Sequence, residues 1–143
     1  MANRFPLIVD STNSNIKELP SGDNLNMQGS GFANLSAISA TAYNETAVTV
    51  TSSSNATAIS CAAGNSFIHT LTENTTFSFT NAPSSGASFA FTLKLIQDST
   101  ARTVTWPTLK WADGTAPTIT TTSGGIDVFV FYHDGTGWFG FTA

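Results

Sequence analysis

Two histidines, one cysteine and nine carboxylates are all that this chain offers to acid–base, nucleophilic or metal chemistry. A Ser-His-Asp set can be assembled on paper around His69 or His133, since Ser and Asp are plentiful. Triads are defined by geometry, however, and no segment resembles a nucleophile elbow. His69 alternates with Phe67 and Leu71, which makes it a packed histidine on an apolar strand face. His133 falls at a hairpin end, where partial exposure and a structural or interface role are expected. Asp127, His133 and Asp134 are the nearest approach to a metal set. Adjacent residues of a strand point to opposite faces, and no His-x-His or Cys pair accompanies them. Asp10, Asp23 and Asp113 sit among turn-forming residues, where carboxylates cap local backbone, and no EF-hand spacing occurs. Acids so few, and mostly in turns, also argue against a paired-carboxylate glycosidase. Cys61 can form no internal disulfide and lies in the apolar run Ala58–Ala62 without cationic neighbours, as a small buried thiol does. The expectation is a protein that is not an enzyme and uses neither metal nor cofactor.

The aromatic residues can do chemistry of another kind. Exposed Trp or Tyr rings stack on sugars, and Trp111, Tyr132 and Trp138 are the candidates for contact with a partner or a glycan. Trp111 has the best prospect of exposure, because Ala112-Asp113-Gly114-Thr115 follows it in a loop-like stretch. The plainer reading of these rings, and of Trp106, is packing in the core and at subunit contacts.

Positioning such residues falls to strands. A chain of 143 residues makes one ordinary domain, and 41% hydrophobic residues with 11 Phe supply a core. Charged residues make up only 10%, against about 25% in a typical globular protein. Thr, Ser, Asn and Gly carry the polarity, a composition suited to an extracellular or particle-bound protein. Arg4, Lys17, Lys94, Arg102 and Lys110 are scattered and the net charge is −4, so neither nucleic acid nor an anionic membrane is an expected partner. No run reaches the roughly 18 apolar residues of a membrane span. The first residues lack the apolar core of a signal peptide, so synthesis in the cytoplasm without export is expected. For the same reason the sequons at Asn34, Asn44, Asn55 and Asn74 read as chance products of an Asn/Ser/Thr-rich chain.

From Ala47 onward the sequence reads as a ladder of strands: 47–51, 66–72, 75–80, 87–97, 102–106, 126–133 and 138–142, with 57–61 a weaker candidate and 117–122 a candidate edge strand. Along 87–97 one face carries Ala87, Phe89, Phe91, Leu93 and Leu95. Strand 126–133 is apolar on both faces, which predicts burial of both, either as a central strand of a sandwich or with one face covered by a second subunit. Asp134-Gly135-Thr136-Gly137 then closes a hairpin with the last strand. About seven to eight strands without a convincing helix or repeat predict an all-β fold, an antiparallel β-sandwich or jelly-roll-like domain over residues 47–143. Residues 32–46 form a polar connector with at most a helical turn over 33–38, and residues 1–31 an N-terminal arm. The arm holds a small hairpin of 5–9 and 16–19, with too little apolar surface to fold alone. Phe5, Leu7, Val9, Ile16 and Leu19 are its candidate attachment residues.

The run ANRFPLIVDSTNSNIKELPSGDNLNMQGSGF resembles the start of structural proteins of marine and cyanobacterial tailed phages. The closing run DVFVFYHDGTGWFGFTA resembles the terminal hairpin of phage fibre and decoration domains. This likeness implies a virion structural protein, commonly a homotrimer, displayed on the particle surface. Its short length and lack of a shaft favour a capsid decoration (cement) protein that binds the major capsid protein or other virion proteins. The alternative is a tail-fibre or adhesin component that binds host surface glycan.

Overall fold

The structure, a computed structural model, describes residues 7–10, 12, 15–18 and 35–143. The chain divides into two compact units, Met1–Thr41 and Ala42–Ala143. In the first, β1 (Leu7–Asp10) and β2 (Asn15–Glu18) pair antiparallel, with Leu7 opposite Glu18 and Val9 opposite Ile16. Asp10 is the last residue of β1. Phe5 and Leu19 lie outside the described residues. Residues 35–46 form no helix or strand, and the helical turn expected over 33–38 does not form from Leu35 on; 33 and 34 lie outside the described residues.

The second unit holds nine strands: β3 (Ala47–Val50), β4 (Ala56–Ser60), β5 (Ser66–Leu71), β6 (Thr75–Thr80), β7 (Phe89–Gln97), β8 (Val104–Thr105), β9 (Lys110–Trp111), β10 (Ile126–His133) and β11 (Trp138–Thr142). They form a six-stranded sheet, β3-β5-β7-β10-β11-β9, and a three-stranded sheet, β4-β6-β8. From β3 to β8 each successive strand changes sheet. Ser54 and Asn55, with φ of 55° and 61°, make the first change a two-residue turn closed by reciprocal backbone bonds between Ser53 and Ala56. Because the chain returns to each sheet by way of the other, neighbours within a sheet run the same way. Ala47 pairs with Ser66 and Ser66 with Thr92, all in parallel strands; β4, β6 and β8 are likewise parallel.

Among the strands of the second unit the expected antiparallel pairing therefore holds for β7 with β10 and for β10 with β11. Apolar alternation has the same period in both kinds of ladder, so it gave no warning. The edge strand expected at 117–122 does not form. Thr120 instead gives its N–H and hydroxyl to Asp127, and its carbonyl accepts from Gln97.

The core lies between the sheets. Ile59 and Phe77 come from the small sheet, and Phe67, Leu71, Phe91, Leu93, Leu95, Phe129 and Phe131 from the large one. Each such side chain contributes roughly 1.5–3 kcal/mol on burial. Phe79 of β6 meets Phe91, Phe131 and Trp138 edge-on, and Phe77 stacks on Trp106 at 5.1 Å, so aromatic contacts join the layers.

Candidate docking surface

Strand alternation decides which side chains the large sheet turns away from its core. On β10, Phe129, Phe131 and His133 are buried, which leaves Ile126, Val128, Val130 and Tyr132 on the opposite face. Register carries this outer face across the sheet. Tyr132 lies opposite Phe139, Val130 opposite Phe141 and Thr92, Val128 opposite Lys94, and Ile126 opposite Ile96. Tyr132 and Phe139 have ring centroids 6.1 Å apart, and the Lys110 ammonium sits 5.6 Å from the Phe139 centroid.

Ile126, Tyr132 and Phe141 are 52%, 40% and 43% exposed. Within the chain β10 is thus buried on one face, and the outer face is the one for which the sequence reading leaves cover to a second subunit. The strand is interior to its sheet, but the second layer covers one side only. The outer face is apolar along β10 and β11, with Lys94 on one flank and Lys110 on the other. Beside it, Tyr43, Glu45, Asn65, Ala90, Thr92 and Val130 line an open depression of about 340 Å³. Asn65 helps shape this depression by donating through Nδ2 to the Ala90 carbonyl at 2.6 Å.

The three aromatic candidates do not come together. Tyr132 belongs to the outer face. Trp138 and Trp111 turn inward and are only partly exposed, Trp138 against Phe79, Phe91 and His133, and Trp111 against Trp106, Phe129 and Phe131. Trp111 lies in β9, parallel to β11, and its register partner is Gly140. That pairing is why it is not the loop-exposed ring the sequence suggested. Phe139 and Phe141, the other rings of the outer face, escaped the sequence reading because they looked like ordinary members of a terminal hairpin. The signal was there in the period-2 alternation from Trp138.

The titratable groups are engaged locally. His69 is fully buried, as expected from its neighbours. Its Nδ1 lies 2.9 Å from the Val50 carbonyl, which can only accept, so Nδ1 carries the proton. Nε2 is buried without a partner. His133 is 8% exposed, against the expected partial exposure. The strand runs on through it, so its ring falls in step with Phe129 and Phe131, and Nδ1 accepts from the Gly135 amide at 3.2 Å. Asp134 accepts from the Thr136 hydroxyl and from the Gly137 and Thr136 amides. These bonds, the Thr136 hydroxyl foremost, hold its carboxyl down at about 2. Arg102 does the same in direction for Asp98, 3.0 Å away. Burial pushes the Cys61 thiol up. Among the described residues no three His, Cys, Asp or Glu side chains are grouped to hold a metal ion.

No family model, curated protein or solved structure matches the chain.

Proposed function

We propose that the protein is a non-enzymatic virion structural protein, a capsid decoration protein that stabilises a tailed-phage head. The likeness of the two chain ends to phage structural proteins supplies the class. The observation that carries the mode of action is the apolar outer face of β10 and β11, which no other layer of the second unit covers. Exposed contiguous apolar surface of this kind marks a place where another protein docks. In this reading residues 1–31 attach the protein to the capsid, and the β unit assembles with copies of itself through its apolar strand faces. The assembly bridges capsid subunits and adds buried area to contacts strained by packed DNA.

The test is location on the particle. Gold labelling of a tagged chain, or imaging of particles with and without it, should place the protein on the head surface. Loss of the protein should lower the temperature at which heads release DNA. Density on the tail alone would overturn the decoration reading and leave the fibre or adhesin reading in its place.

A further inference from the structure

Among the described residues, six large apolar side chains stand exposed, and they fall into two groups. Ile126, Tyr132 and Phe141 form the outer face of the large sheet. Leu35, Ile38 and Tyr43, at 50%, 78% and 79% exposure, lie on a strip that has no regular secondary structure. Of the strip, Tyr43 borders the depression beside Val130.

We propose that the strip 35–43 of one copy lies across the β10–β11 outer face of a second copy. This deepens the self-assembly named above and rests on that part of the reading, but not on the location in the virion.

Three features favour a second copy as the occupant. The first is charge. The strip LSAISATAY carries no charged residue. The face carries Lys94 and Lys110 on its flanks, Glu45 at the depression beside it and no carboxylate along the β10–β11 stripe, so face-to-face stacking of two such sheets would oppose lysines to lysines. An uncharged strip laid between the lysines avoids that repulsion, and the lysine stems border it. The second is area. At about 200 Å² for a whole side chain, the exposed fractions of the six come to roughly 700 Å². With the Val, Thr and Ser atoms between them the contact approaches the ~1,000 Å² that marks a specific interface. The third is shape. The face is otherwise a sheet surface, and its depression of about 340 Å³ beside Val130 has room for an aliphatic side chain such as Ile38.

The contact joins two different patches, so it closes as a two-fold dimer if the two copies exchange strips, and otherwise runs head to tail into a ring or a filament. A ring of three would give the trimer expected from the resemblance.

Cysteine pairing on the full chain tests this. Ile38→Cys is made in isotopically light protein and Val130→Cys in heavy protein, and the two are mixed, re-equilibrated and oxidised; Cys61 is buried and stays out of the reaction. The expected product is a light–heavy disulfide identified by mass spectrometry as 38 to 130, absent from either variant alone. In a separate measurement, Ile38→Ser with Tyr43→Ser should raise the assembly's dissociation constant by at least about ten-fold, with the melting temperature of the β unit unchanged. Linkage only within one chain, in a further variant that carries Ile38→Cys and Val130→Cys together, overturns the proposal. So does an oligomer that forms without the light–heavy link, or a protein that is monomeric at all concentrations. Labelling of particles is read independently, so a failed strip contact and a failed virion assignment are distinguishable.

Discussion

The indole of Trp111 rests against Gly140, the residue with which it pairs across β9 and β11. A Cβ on residue 140 would stand 2.5 Å from Trp111 Cζ3 and 2.9 Å from Leu109 Cδ1. The absence of a side chain there lets β9 dock and brings Trp111 onto Trp106, Phe129 and Phe131. Gly140→Ala should therefore displace the indole. The expected cost is ~1–3 kcal/mol, the usual range for overpacking a filled core. Denaturant unfolding followed by tryptophan fluorescence would measure it. A variant as stable as the parent, with an unchanged emission maximum, would show that the ring has room to yield.

Gln97 ends β7 with a side chain that holds three backbone groups. Its amide nitrogen donates to the Thr120 carbonyl at 3.0 Å and to the Arg102 carbonyl at 3.4 Å, while its oxygen accepts from the Arg102 amide at 3.1 Å. The residue is 2% exposed, so these are bonds sheltered from water. Gln97→Leu keeps the volume and strands the partners. A loss of ~2–3 kcal/mol is expected, since each buried group left unpaired costs about 1–3 kcal/mol and some recover water. Hydrogen exchange should also accelerate at Arg102 and across 120–125 before the core strands respond.

Those two relationships mark where sequence reading stops. The strands from Ala47 on were legible because Val, Ile, Phe and Thr alternate with small polar residues, and the turn at Asp134–Gly137 was legible from its composition. What sits beside what was not. Trp111 and Gly140 are far apart in sequence, and nothing in either residue announces the other. Gln97 looks like a polar strand end until its three partners are in place. The parallel ladders were hidden for a different reason: the steps from Ala47 to Ser66 and from Ser66 to Thr92 are of unequal length, so the coil leaves no repeat. The outer face was half legible. Val128, Val130 and Tyr132 plainly shared a side, but whether a layer covered it depends on where the small sheet lies. That sheet packs on the other face alone.

Asp134 gives a pH-dependent prediction. Its carboxyl is held at about 2, below the ordinary 3.8, chiefly by the Thr136 hydroxyl and then by the Gly137 and Thr136 amides. A depressed carboxyl stabilises the fold fully above its unfolded value, and that contribution fades as pH falls through the interval toward 2. Asp134→Ala should thus melt below the parent at pH 7, and the gap should narrow between about pH 4 and pH 2. Thr136→Val, which removes the leading partner, should lift the Asp134 titration toward its ordinary value in a carboxyl-detected NMR series. A melting gap that stays constant down to pH 2 would place the effect in turn geometry rather than in charge.

The outer face makes the sharpest separation between folding and assembly. Tyr132 and Phe141 are 40% and 43% exposed and take no part in the buried core cluster. Replacing both with Lys removes little packing, so the cost to the isolated fold should stay within about 1 kcal/mol, the span of strand propensity in a host sheet. At an interface the same change acts differently. Two ammonium groups would be added to a face that already holds Lys94 and Lys110, and burying them without partners opposes association strongly. The double variant should therefore keep its far-ultraviolet spectrum and melting temperature, sediment as a monomer, and decorate particles more weakly than the parent, since residues 1–31 alone are left to hold each copy. A single Tyr132→Phe change, which keeps the ring and drops the hydroxyl, should leave assembly intact. If the lysine variant assembled as well as the parent, the apolar stripe would be an exposed surface without a partner, and the docking role would have to move to another part of the chain.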